Sequence, residues 1–201
     1  MKPPKNIKIV LVTLIIPMLL GCGGGKLSRG KAEEIIKNSI KFPKTEAVRI
    51  ANTYMMNTNG NVTETYGGGR ETKEMHDFFV KKQLMTIARS WSTDGFWNNI
   101  VTGFTDEGKK YATDIEEVQA WSGHAIKLCD KVFNEITGIQ INEQTKVATV
   151  EYSLKRTNWT PFGEYFKEKQ PAKYPEIIAG QRATLQKYDD GWRMSTTSGY
   201  E

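Results

Sequence analysis

The chain has few of the side chains that hold metals or cross-link folds. Its 201 residues include two cysteines, Cys22 and Cys129, and two histidines, His76 and His124. Four such residues scattered over the chain exclude a disulfide framework and a zinc-finger-like cage. The histidines show neither His-x-x-x-His nor His-Glu-x-x-His spacing, which would place two imidazoles on one helix face. No Gly-x-Ser-x-Gly turn is found, and Gly67-Gly68-Gly69 lacks the Gly-Lys-Ser/Thr ending of a phosphate cradle. Long apolar runs are missing too. The longest, Ile9 to Leu20, is interrupted by Thr13 and Pro17 and falls short of the ~20 residues a membrane span needs. No solenoid-period repeat is present.

What is there begins at the N-terminus. Lys2, Lys5 and Lys8 precede the apolar run without an acid among them, and Leu19-Leu20-Gly21-Cys22 closes it. A basic start, a short apolar stretch and a small residue at the cut are the parts of an export signal. The segment resembles a bacterial lipoprotein precursor, with Leu19-Leu20-Gly21-Cys22 matching the lipobox. The resemblance covers the leader only. It implies that the Cys22 thiol carries a diacylglycerol, that the leader is removed, and that Cys22 becomes the N-terminus. Several acyl chains together anchor stably where one alone is marginal. Gly23-Gly24-Gly25 then reads as a tether, residues 22–27 joining lipid to domain. Gly23 differs from the aspartate that such precursors use for inner-membrane retention. The expected address is the cell envelope: the periplasmic leaflet of the outer membrane in a Gram-negative cell, otherwise the outer face of the cytoplasmic membrane.

Removing the leader takes three lysines from a formal charge of +5 and leaves +2. That balance does not supply the electrostatic footprint of a nucleic-acid binder, and export points the same way. With Cys22 acylated, Cys129 has no partner for a disulfide, and the fold must rest on its apolar core.

Along the mature chain, Ser28 caps a helix to about Ser39, with Ala32, Ile35, Ile36 and Ile40 on one face. A strand follows over Glu46 to Tyr54, then a glycine-rich loop to Glu71 and a helix over Lys73 to Lys82. Leu84 to Trp91 and Phe96 to Phe104 read as a hairpin about Asp94-Gly95, and Thr105 caps a short helix through Asp106 and Glu107. Helix, strand, helix, hairpin and Phe104-Thr105-Asp106-Glu107-Gly108-Lys109-Lys110-Tyr111 resemble a winged-helix domain over 31–112. Export separates such a domain from the chromosome, so the resemblance implies a scaffold alone. Asp114 to Gly123 reads as a link. Lys131 to Ile141, Lys146 to Thr157 and Gln181 to Tyr188 read as strands; in the second, Ala148, Val150, Tyr152 and Leu154 alternate with polar residues. Asp189-Asp190-Gly191 turns back into Trp192-Arg193-Met194. The expected class is α+β: a helical, winged-helix-like half at 28–113, then an antiparallel meander at 114–201. A single cystatin-like or NTF2-like α+β domain is the alternative.

Asn158 to Gly180 has no clear period and is long for a loop inside a domain. It holds Trp159, Phe162, Tyr165, Phe166 and Tyr174, large flat faces suited to protein or glycan contacts. These five are the candidate binding residues. The bland reading is that Phe162 and Phe166 fold back to plug the sheet. Lys155-Arg156 reads as a solvated pair at a strand end. His76 with Glu74 and Asp77, Cys129 with His124, and Glu164, Glu168 and Glu176 are the residues a hydrolase would draw on. Solvation and packing explain each of them more simply. The expectation is a non-enzymatic envelope lipoprotein without cofactor or metal, held to a membrane by Cys22. Its partner is an envelope protein; a glycan or small ligand is the alternative, and a hydrolase the remote one.

Overall fold

The computed structural model describes residues 25–51, 53–57, 62–63, 70–91, 97–113 and 123–198. The leader with its lipobox, most of the glycine-rich loop, the Asp94-Gly95 turn and the link at 114–122 lie outside the described residues.

Helix α1 (Arg29–Ser39) starts where Ser28 accepts a hydrogen bond from the Lys31 backbone N–H at 3.2 Å. That bond satisfies one of the donors a helix start leaves open. Ala32, Ile35 and Ile36 are buried along one side. Strands β1 (Lys44–Ala51), β2 (Thr53–Asn57) and β3 (Val62–Thr63) follow, then helix α2 (Arg70–Lys81). Strands β4 (Met85–Trp91) and β5 (Trp97–Phe104) form an antiparallel pair that leads into the one-turn helix α3 (Asp106–Lys109). Long strands β6 (Gly123–Asn142) and β7 (Val147–Thr157) pair along their length. Helix α4 (Pro161–Lys169) and strands β8 (Ile177–Tyr188) and β9 (Gly191–Ser198) complete the order.

Among the described residues the strands form two antiparallel sheets. One runs β3-β2-β5-β4, and the other β1-β6-β7-β8-β9, curled as a half-barrel. The α+β expectation, whether winged-helix-like with a helical first half or cystatin- or NTF2-like, gives way to a mostly β chain of 51% strand and 25% helix. Among the described residues the first half is not mainly helical, because Lys44–Ala51, Thr53–Asn57, Met85–Trp91 and Trp97–Phe104 spend their backbone hydrogen bonds on ladders. Strand β1 also leaves its sequence neighbours and pairs with β6, Lys44 opposite Lys131 and Ala51 opposite Gly123. The strand expected to start at Lys131 starts eight residues earlier. It extends because β1 and β7 flank it on its two edges.

Two apolar cores result. In the first, Ile35, Ile36 and Leu27 pack with Ile136, Val150, Leu185 and Trp192 of the curled sheet. In the second, Phe79 from α2 and Phe162, Tyr165 and Phe166 from α4 close over Leu84, Ile126, Leu128 and Cys129. A fully buried side chain of this size contributes roughly 1.5–3 kcal/mol. Each core therefore depends on the helix that covers it.

Candidate functional site

The segment 158–180 is not a loop. Asn158 sits at φ 52, a left-handed value asparagine tolerates, and turns the chain out of β7. Thr160 then caps α4, its hydroxyl accepting from the Gly163 N–H at 3.1 Å, and Pro161 takes the first helical turn. Proline is preorganised there because its missing N–H had no partner to lose. The cap is tied to β6 twice: the Thr160 hydroxyl donates to the Lys127 carbonyl at 2.7 Å, and the Thr160 N–H to that of Leu128 at 2.8 Å. The approach is so close that a Cβ on Gly163 would lie 2.1 Å from the Leu128 carbonyl oxygen. Thus glycine is required here for space.

This placement separates the five candidate aromatics. Phe162, Tyr165, Phe166 and Tyr174 are buried. Phe162 meets Phe79 edge-on at 4.7 Å, Tyr165 meets Phe78 at 5.0 Å and Phe166 meets Tyr174 at 5.6 Å. They form the layer beneath the surface. Trp159 alone is half-buried and reaches a groove of about 690 Å³. Phe78, Lys82, Pro161, Glu164, Lys167 and Glu168 line the rest of it. Lys167 Nζ lies 5.4 Å from the centre of the Trp159 ring, and Lys82 Nζ 5.6 Å from that of Phe78. Each ammonium is attracted by the ring face it covers. The result is an aromatic floor with lysines over it and glutamates on the α4 wall.

The residues a hydrolase would use are dispersed. His76 is wholly buried on α2, not solvated, and burial lowers it to about 4. It is neutral at pH 7. His124 Nε2 lies 2.9 Å from the Thr102 carbonyl, with its ring 4.5 Å from that of Phe104. Burial, then the Glu46 carboxylate, push the Cys129 thiol up to about 12, so it carries almost no thiolate at neutral pH. A nucleophilic cysteine needs the opposite shift. Glu164 and Glu168 share the groove wall, while Glu176 faces Lys155 at 3.1 Å. No group of three or more His, Cys, Asp or Glu side chains among the described residues could hold a metal ion.

Sequence reasoning missed a buried ion pair. Arg156 is 7% exposed and clamps Glu46 of β1, Nε to Oε2 at 2.5 Å and Nη2 to Oε1 at 2.9 Å. Its third nitrogen donates to the Pro175 carbonyl at 2.6 Å. Its guanidinium carbon lies 5.5 Å from the Tyr174 ring centre. Burial opposes the Glu46 charge, but the Arg156 hydrogen bonds and charge outweigh it, and the carboxyl titrates below its ordinary value. Arg156 is therefore not the solvated residue expected. The signal was present, because Arg156 continues the inward series Val150, Tyr152, Leu154 of β7. The pair fastens β1 to β7 across β6 and holds Pro175 and Tyr174 under α4; it is a structural clamp.

No family model, curated protein or solved structure matches the chain.

Proposed function

We propose that the chain is a bacterial envelope lipoprotein, a non-enzymatic binding or assembly module anchored by an acylated Cys22, and that it docks a segment of an envelope protein in the Trp159 groove. The Leu19-Leu20-Gly21-Cys22 run supports the anchor. The observation that carries the docking is the division of labour in segment 158–180: four aromatics are spent on the core, and Trp159 is left half-buried in a groove. Tryptophan in a partly desolvated pocket with a neutral-to-charged rim is the kind of residue that dominates protein interfaces. Phe78 beside it enlarges the apolar floor, and Lys167 with Glu164 and Glu168 offers both charge signs to a polypeptide.

The test uses the full-length lipoprotein in its own envelope, with a photo-crosslinking side chain at Lys167. Trp159→Ala is expected to weaken capture of a defined protein band by at least about tenfold. Capture unchanged by Trp159→Ala would remove the groove from the proposal. Phe162→Ala is unsuitable as a probe because Phe162 is 0% exposed and its truncation damages the core. Capture of glycan strands in place of protein would favour the glycan reading.

A further inference from the structure

The chain enters the fold at one end of the curled sheet. Leu27 is 7% exposed and belongs to the first core. Trp192 Nε1 donates to the Gly25 carbonyl at 3.4 Å, and Trp192 directly follows the turn between β8 and β9. That turn lies beside the turn between β6 and β7, since the Lys187 N–H donates to the Lys146 carbonyl at 2.9 Å. Both hairpin tips and the entry point therefore share one end. The groove belongs to the other end. Strand β7 runs from Val147 at the tips to Thr157, two residues before Trp159, roughly 35 Å along the strand by its rise per residue.

Gly25 is the third residue after Cys22, so covalent geometry alone limits the anchor to about 11 Å from it. A domain on so short a leash presents its tethered end to the lipid. The surface there suits the task. Tyr188 is 49% exposed, a large ring with a polar tip of the kind found at membrane interfaces. Exposed Lys26 and Lys146 flank the same end, and Lys187 lies over the Trp192 ring. The acids there are Glu143, Asp189 and Asp190, and Arg193 pairs with Asp190. Cations within a Debye length of anionic headgroups are attracted to them.

We infer that the hairpin-tip end of the five-stranded sheet rests on an anionic phospholipid surface, with Lys26, Lys146 and Tyr188 at the contact and the Trp159 groove held away from it. This inference rests on the acylation of Cys22. It adds an orientation: the anchor not only retains the domain but points its groove outward.

The experiment reconstitutes the acylated full-length protein in phosphatidylethanolamine–phosphatidylglycerol vesicles. An environment-sensitive fluorophore is placed at Gln144→Cys in the tip turn, or at Glu168→Cys on the groove wall. Cys129 is buried, so labelling is confined to the introduced thiol. Spin-labelled lipid should quench the label at 144 and leave that at 168 unchanged. The double variant Lys26→Glu, Lys146→Glu should reduce quenching at 144 several-fold while the protein still floats with vesicles, and phosphatidylcholine vesicles should do the same. Equal quenching at both positions, quenching at 168 alone, or none at either in protein that floats would overturn the orientation and leave the anchor standing. Protein that neither floats nor shows an acyl mass increment at Cys22 would overturn the anchor, and the orientation with it.

Discussion

The bases of two hairpins are built alike and carry unequal loads. At the β4–β5 base, Thr105 donates its hydroxyl to the Gln83 carbonyl at 2.7 Å and its N–H to that of Leu84 at 3.1 Å, and accepts from the Gly108 N–H. At the β6–β7 base, Thr160 makes the same three bonds to Lys127, Leu128 and Gly163. A Cβ on Gly108 would meet the Leu84 oxygen at 1.9 Å, as one on Gly163 would meet that of Leu128 at 2.1 Å. An aromatic residue, Phe104 or Trp159, precedes each threonine. The helices beyond them differ: α3 is 4 residues long and buries Gly108, whereas α4 is 9 residues long and buries Phe162, Gly163, Tyr165 and Phe166. The shared device sets where a helix leaves the sheet. The residues after it decide whether that helix roofs a core and builds a groove.

The sharpest way to break the comparison is at the glycines. Gly163→Ala should cost about 4 kcal/mol, above the usual overpacking range, because the new methyl is aimed at backbone and at Trp159 Cε3, 2.9 Å away. Relief requires α4 to lift, and α4 takes four buried residues with it. Gly108→Ala should cost about 2–3 kcal/mol, since α3 can shift without opening a core. Urea denaturation of both variants measures this. Equal losses would show that the contact itself, not the helix beyond it, sets the cost.

A proton separates the two bases further. His76 and His124 lie where the two sheets meet: burial, an interaction with the backbone of Ala51 in β1 and the charges of His124 and Asp77 act on His76, and His124 of β6 sits at the Thr102 carbonyl of β5. A histidine lowered from 6.5 to about 4 in the fold binds its proton more readily unfolded. Stability is therefore complete above pH 6.5, falls as pH drops from there, and levels off below about 4. The loss approaches about 3 kcal/mol. Glu46 adds an acid-sensitive term, but below the ordinary carboxylate range. Hydrogen exchange at decreasing pH should accelerate in α2, in β4 and where Ala51 pairs with Gly123 before it does along the β6–β7 ladder, and His76→Gln should flatten the slope between pH 6.5 and 4. A β6–β7 hairpin that opens first would reverse the assignment.

Much of this was legible along the chain and little across it. Ser28 and the spacing of Ala32, Ile35 and Ile36 mark α1 almost to the residue, because caps and periodicity are local. The alternation of Ala148, Val150 and Tyr152 likewise marks β7. The start of β6 was obscured because Leu128, Cys129 and Asp130 are buried in succession, which erases the period of two. Helix α4 hid behind Pro161 and Gly163, residues that signal loops unless the threonine before them is read as a cap. Pairing of β1 with β6 has no local signature, since Glu46 and Arg156 are 110 positions apart. The same holds for the site: five aromatics clustered in sequence, and only burial distinguishes Trp159 from its four neighbours.

The smallest effect tests whether the two caps are equivalent once their loads are removed from the question. Valine copies the shape of threonine and lacks its hydroxyl, so Thr105→Val and Thr160→Val delete one donor and one acceptor and leave the packing unchanged. Cap losses of this kind cost about 1 kcal/mol. Thr105 is only half-buried and Gln83 is exposed, so water can reach the Gln83 carbonyl and the variant should stay near that value. Thr160 is 6% exposed. The Lys127 carbonyl and the Gly163 N–H beneath it would lose their partner in a dry place, where an unsatisfied group costs roughly 1–3 kcal/mol. Thr160→Val should therefore fall about 1 kcal/mol below Thr105→Val by thermal or urea unfolding. A larger deficit at Thr105 would mean that the one-turn α3, with little packing to hold it, depends on its cap more than the longer helix does.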